Sequence, residues 1–216
     1  MTSPLSAAGG RPARRRDLQK EQTRRDLALA AFNLARAHGL ANVRISQIAT
    51  AVGVSPRTFN NYFPSKEAAV IWPVTLQARW LAGSLTNRPP AEPLADALVA
   101  AIAAQYRRTK MDTLPPGWLG QFRALVAAEP TLHGEYLKAT TATEASLADA
   151  IGRRAGFPPG QLESHVLAAV TVAAERTAVQ HWSRAPSPRG PLVAVVRTAV
   201  HLAVRGMTAA PGHTLA

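Results

Sequence analysis

The chain has 216 residues, 47% of them hydrophobic and 6% aromatic, with no cysteine and a formal net charge of +12. No disulfide framework, thiolate metal site or cysteine nucleophile is available, and no run of about twenty apolar residues offers a signal peptide or a membrane span, so a soluble, cytoplasmic protein is expected. The charge is uneven: residues 1–66 carry eleven Lys/Arg against three acids, which is +8 and leaves +4 for the rest. That distribution is the footprint of a nucleic-acid binder, although a solubilising surface or a bias toward Ala and Arg would produce it too.

Ala and Leu abound and no stretch alternates like a strand, so the fold is expected to be all-α, a small head joined to a larger helical body. Residues 1–16 combine Pro, Gly and an Arg cluster without periodicity and read as a disordered basic arm. Arg11, Arg14, Arg15 and Arg16 either meet phosphates or the minor groove, or form a solvated tail. A first helix is expected from about Asp17 to Gly39, with Leu27, Ala30, Ala31, Leu34 and Ala35 as its apolar stripe. After a turn at 39–42, Ile45, Ile48, Ala49 and Val52 give the next helix an i, i+3, i+4, i+7 face, over which Val54, Phe59 and Phe63 close.

Residues 45–66, ISQIATAVGVSPRTFNNYFPSK, read as two short helices around a tight turn. Gly53 ends the first where a left-handed backbone is needed, and Ser55 caps the second with Pro56 at its first position. Such a helix-turn-helix lays its second helix in the DNA major groove. Arg57, Thr58, Asn60 and Asn61 fall on faces that the core does not use. Arg reads guanine and Asn reads adenine through paired hydrogen bonds, while Thr58 and Tyr62 suit phosphates. Ser65 caps the following helix, whose amino end and Lys66 are placed for a phosphate.

The run from Thr23 to Val70 resembles the DNA-binding domain of the TetR family of bacterial transcription regulators. The residues that carry the likeness are Ala30-Ala31-Phe32, Gly39, Ile48-Ala49, Gly53-Val54-Ser55, Thr58-Phe59, Tyr62-Phe63 and Ser65-Lys66-Glu67. Where the family often has a Thr that caps the second helix and touches phosphate, this chain has Arg44, which reaches a phosphate but caps poorly; Ser46 or Asn42 is left to compensate. Asn60 replaces a frequent Tyr and weakens a backbone contact or turns toward a base. The expected DNA-contacting set is Arg44, Ser46, Ser55, Arg57, Thr58, Asn60, Asn61, Tyr62 and Lys66. The head is expected over 17–66, and a ligand-binding and dimerisation body over 67–216.

In the body, helices are expected at about 66–84, kinked at Pro73, and at 94–108, 118–128, 131–155, 160–183 and 188–206. Apolar residues nearly encircle the last two. A helix apolar all round is buried on two sides, either as a core helix of a monomer or in a two-fold four-helix interface; the resemblance implies the second, a homodimer through the last two helices. Glu175 and Arg176 interrupt the apolar run. They anchor a ligand or enter an internal ion pair with Arg123 or Glu144, and the ion pair is the preferred reading. Tyr106, Trp118, Phe122 and Tyr136 line a pocket or serve as ordinary core.

FRALVAAEPTLHGEYL, with the later Trp182, is similar to a subset of the family whose bodies bind acyl-CoA or related hydrophobic ligands. No catalytic, metal-binding or cofactor constellation stands out. The resemblance implies a homodimeric repressor that binds a pseudo-palindromic operator and is released by a small hydrophobic effector, with an acyl-CoA-like compound as one candidate. An activator, an effector-independent DNA-binding protein, or an enzyme with a DNA-targeting head are the competing readings.

Overall fold

The computed structural model describes residues 10–108, 118–184 and 190–206. Among these residues every regular element is helical: α1 (Gly10–His38), a 3-10 turn (Leu40–Asn42), α2 (Ile45–Val52), α3 (Pro56–Tyr62), α4 (Lys66–Thr86), α5 (Leu94–Arg108), α6 (Trp118–Ala128), α7 (Pro130–Ala155), α8 (Leu162–Arg184) and α9 (Leu192–Arg205). The chain divides into two compact units, Met1–Trp72 with Leu125–Glu135, and Pro73–Ala124 with Tyr136–Ala216. The expected boundary at 66/67 thus moves to Pro73, which the structure accommodates inside an unbroken α4. The end of α6 and the start of α7, assigned to the body from sequence, belong to the head unit.

In the head unit, Leu27, Ala31, Phe32 and Ala35 of α1, Ile48 and Ala49 of α2, and Phe59 and Phe63 are all buried. Helical spacing brings these apolar side chains to one face per helix, and their removal from water is the main force holding the three helices together. Ala30, Leu34 and Val52 are only half-buried, because they line an open groove with Asp26 and Asn33. Gly39 and Gly53 sit at φ 76° and 74°. A Cβ on Gly53 would meet nothing within 4 Å, so the backbone angle rather than space requires glycine there.

One expectation about the head is corrected. Gly10 to Arg16, read as part of a disordered arm, are helical; residues 1–9 lie outside the described residues. Once a helix is nucleated, each added residue costs little, and Ala and Arg are good helix formers. Pro12 falls in the first turn, where its missing N–H has no intrahelical partner to lose.

In the second unit, Leu81 and Leu85 of α4 pack with Leu98 and Ile102 of α5, Leu147 and Ile151 of α7, Val172 and Val179 of α8, and Val196 and Val200 of α9. Arg154 clasps the loop between α4 and α5. Its guanidinium donates to the carbonyls of Arg88 (3.1 Å), Pro89 (2.6 Å) and Glu92 (2.7 Å), and Arg88 is itself paired with Glu92. Trp182 Nε1 donates to Gly190 O at 2.7 Å, tying the end of α8 to the approach of α9. The start expected for the last helix, Pro188, lies outside the described residues. The first half of α8 mixes polar and apolar residues on both faces, with Ala168 and Val172 buried and Glu163 and His165 exposed. Ser164 and Thr171 are buried, whereas Leu162 and Val166, one turn apart, are 72% and 49% exposed.

Candidate nucleic-acid interface and body cavity

The helix-turn-helix is built from short-range rules. Ser55 stands in extended backbone before α3, and its Oγ accepts from Thr58 N at 3.0 Å. The Ser55 and Thr58 hydroxyls are 2.9 Å apart, so both belong to the cap. Phe59 is buried in the head core, which turns Arg57, Asn60 and Asn61 outward; all three are exposed. Their guanidinium and amide groups stand together on the free face of α3, the pattern that reads base edges.

Around this face the expected residues separate. Ser46 and Arg44 are exposed beside α2. Arg44 makes no side-chain cap, and neither Ser46 nor Asn42 replaces it. Instead Gln47 Oε1 accepts the Arg44 N–H at 2.8 Å, while Asn42 Nδ2 turns back to His38 O at 2.9 Å and closes the end of α1. Tyr62 is half-buried, because the Arg24 guanidinium lies 5.7 Å from its ring centroid and 6.0 Å from that of Phe63. A guanidinium at this range over an aromatic face is attracted by the ring quadrupole; sequence reasoning gave Arg24 no such role.

Lys66 departs most from expectation. Its ammonium donates to Leu40 O at 2.7 Å and Val43 O at 2.9 Å. Two of the three donors of a lysine are thus engaged inside the head. The amino end of α4 is capped by Ser65, whose Oγ accepts from Ala68 N at 3.0 Å. Glu129 completes the hold on the same turn, accepting the Leu40 N–H on Oε1 at 3.3 Å.

The second unit contains a cavity of about 80 Å³ whose wall includes Gln105, Tyr106, Leu119, Phe122, Arg123, Tyr136, Glu175 and Arg176. Five of the six residues singled out from sequence as pocket candidates therefore share one wall. The sixth, Trp118, is buried behind it, its ring stacked on Phe122 with centroids 5.1 Å apart. Trp182 is engaged at Gly190 and is not among the wall residues. Glu175 is held by hydrogen bonds rather than by the expected ion pair: Gln105 Nε2 and Tyr106 Oη donate to its Oε1 at 2.8 and 2.6 Å. Burial pushes the Glu175 carboxyl above its ordinary range, against the opposing effects of the Tyr106 and Gln105 bonds and the nearby Arg123. Burial, and secondarily the Glu175 charge, pushes the Tyr106 phenol well above its ordinary value. Among the described residues no group of three or more His, Cys, Asp or Glu converges as a metal site, and no helix is long and apolar enough to cross a membrane.

A capped helix-turn-helix on a basic three-helix head, joined to an all-helical body, defines a DNA-binding transcription regulator. Comparison with known proteins gives the family. Residues 28–70 match the model for bacterial regulatory proteins of the tetR family, and residues 92–208 match the MftR C-terminal domain. The chain is 31% identical over 184 residues to the HTH-type transcriptional regulator TcmR of Streptomyces glaucescens, covering 83% of this chain and 80% of that protein. Among solved structures it is similar to Thermus thermophilus FadR, a TetR-family repressor crystallised with lauroyl-CoA, with TM-score 0.51, 22% identity, and coverage of 88% of this chain and 99% of that one. FadR of Bacillus halodurans aligns with TM-score 0.53 and 16% identity over 84% of this chain and 94% of that one. The protein belongs to the TetR family of bacterial transcriptional regulators.

Proposed function

We propose that this TetR-family regulator is a cytoplasmic, homodimeric, ligand-responsive repressor that binds a pseudo-palindromic operator and is released by a small hydrophobic effector. The observation that carries the reading is the course of α6. Its first turns supply Leu119, Phe122 and Arg123 to the cavity wall, and its last residues, from Leu125, belong to the head unit. Glu129, directly after α6, holds the turn that precedes α2. An occupant that displaces Phe122 therefore acts on a helix that continues into the DNA-binding unit. Effector and operator then compete through differential affinity for two states, a coupling of about 1–3 kcal/mol.

Dimerisation is supported by the outer face of α8, where Leu162 and Val166 lie at the surface. A second copy laid against this face would remove that apolar surface from water. The cavity does not favour the acyl-CoA-like version of the effector. At about 80 Å³ it is well below the roughly 300–1,000 Å³ of sites that enclose drug-sized ligands, and its wall includes charged and hydroxyl groups.

The reading is tested by a mobility-shift titration of the protein on its own upstream DNA against scrambled competitor. Arg57→Ala and Asn61→Ala should each reduce operator preference by about 1–3 kcal/mol, with non-specific binding little changed. Retention of full preference by both variants would remove α3 as the reading element.

A further inference from the structure

The cavity wall has a chemical polarity that narrows the class of its occupant. Both hydrogen bonds to Glu175 end on the same oxygen, Oε1; among the described residues none reaches Oε2. A carboxylate oxygen has lone pairs for more than one donor, and Glu175, half-buried on the cavity wall, keeps those of Oε2 available to an occupant. The guanidinium of Arg123 is close enough to favour the charged form of Glu175, yet the direct partners are the two neutral donors on α5. The group is therefore a fixed acceptor, oriented from behind by Gln105 and Tyr106, that faces the cavity with one oxygen open.

The rest of the wall sets the charge and shape of what can meet that oxygen. Arg123 and Arg176 line the cavity with Glu175, two guanidinium groups to one carboxylate, so a cationic ligand meets net repulsion. An anionic group is drawn to the two guanidiniums but brings no donor for Glu175 Oε2 and stands against its charge. A neutral group that donates to Glu175, with an acceptor in reach of Arg123, meets neither cost. Tyr106, Phe122 and Tyr136 contribute three aromatic rings to the same wall, and flat rings pack preferentially against rings. Trp118, stacked behind Phe122, gives that side a second aromatic layer.

We infer that the cavity takes a neutral, hydroxyl-bearing aromatic compound whose hydroxyl donates to Glu175 Oε2 while its rings lie among Tyr106, Phe122 and Tyr136. The inference rests on the reading of this cavity as the effector site and deepens it. The acyl chain and thioester of a fatty acyl-CoA have no donor to offer Glu175, and the chain is far longer than the cavity. Even one aromatic ring exceeds the space present, since cavities that hold benzene measure about 150 Å³. The ring therefore enters by moving Phe122 and Trp118, the residues that belong to α6.

Four probes with one ring system and different head groups separate the possibilities: naphthol, methoxynaphthalene, naphthoate and naphthylmethylammonium, titrated calorimetrically into the full chain, with lauroyl-CoA as a fifth. Naphthol should bind at least about tenfold more tightly than methoxynaphthalene, the size of one hydrogen bond to a charged acceptor. That ratio should shrink several-fold in Glu175→Gln, which keeps a weaker acceptor, and approach unity in Glu175→Leu. If Glu175→Leu does not fold, the Glu175→Gln ratio decides. Equal binding of naphthol and methoxynaphthalene, preference for either ion or for lauroyl-CoA, or no binding by any probe overturns the inference. Operator affinity is measured alongside. Naphthol bound in a Glu175-dependent way without operator release overturns the effector reading and leaves the ligand class standing. Operator release by lauroyl-CoA alone does the reverse.

Discussion

Lys66 at the start of α4 holds Leu40 by its carbonyl, Nζ to O 2.7 Å, while the same ammonium reaches Val43 O at 2.9 Å. The bond spans 26 positions of sequence and fixes the turn between α1 and α2 against the helix that follows the recognition helix. Hydrogen bonds from a charged donor contribute about 1.5–3 kcal/mol each. Lys66→Met, which keeps the aliphatic stem, should therefore lower head stability by about 3 kcal/mol or more, read as the urea midpoint. The salt dependence of operator binding should stay unchanged, because the ammonium is engaged within the protein. A fall of about one unit in the log–log salt slope for each protomer would instead assign Lys66 to a phosphate.

The helical start of α1 leads to a prediction about affinity. Arg15, Arg16 and Lys20 are exposed, Leu18 is 66% exposed with nothing packed over it, and the first turn has no acidic residue. Residues 10–21 carry Arg11, Arg14, Arg15, Arg16 and Lys20 against Asp17 and Glu21, so the segment is net positive and suited to a polyanion. It leads into Arg24, which packs on Tyr62 at the end of α3, so the extension starts beside the reading helix. Replacing Arg15, Arg16 and Lys20 together with Ala should reduce the salt slope of operator binding by about 5 for a dimer, at roughly 0.9 per phosphate contact. Specificity over scrambled DNA should hold. An unchanged slope would mean that the extension stands clear of the duplex.

How much of this could be read from the chain alone depends on the range of the interaction. Gly53, Ser55 and Pro56 act on their own neighbours, and their chemistry placed the turn and α3 correctly. Ile48, Phe59 and Phe63 obey a periodicity that survives any tertiary context, and they are buried as the pattern requires. The partners of Lys66 and Glu175 are different. Leu40 O and Val43 O are backbone atoms with no signature in sequence, and Gln105 and Tyr106 lie 70 and 69 positions from Glu175. Five residues that line one cavity nevertheless stood out in the sequence, because polar or aromatic side chains inside Ala-rich helices are conspicuous even when their partners are not. The start of α1 was missed because a helix that is propagated from its core needs no cap of its own.

Arg154 gives a prediction confined to the second unit. One guanidinium satisfies three loop carbonyls, of Arg88, Pro89 and Glu92, in a loop whose prolines cannot supply donors of their own. Arg154→Ala leaves those carbonyls to water and frees the turn into α5. We expect about 2 kcal/mol lower stability, with operator specificity retained in the folded fraction. Arg154→Lys should recover only part of the loss, because an ammonium lacks the planar fork that spans several acceptors. Full recovery by Lys would show that charge, not geometry, holds the loop.

The buried carboxyl of Glu175 fixes the sign of a pH effect. Its ordinary value of 4.5 is raised in the folded protein, chiefly by burial, so the folded state holds the proton at pH values where the unfolded chain has released it. Stability then falls as pH rises through that interval and is unaffected by this group well below 4.5, where both states are protonated. Other titrating groups cancel when wild type is compared with Glu175→Gln, whose side chain stays neutral. As pH rises from below the ordinary carboxyl value of 4.5 through the raised folded one, the wild type should lose stability relative to the variant, measured as the difference in urea midpoint. Tyr106, pushed well above 10.0, does not titrate in that range. A difference that rises with pH would mean that Arg123 and the two donors outweigh burial, and that the carboxylate is held below its ordinary range.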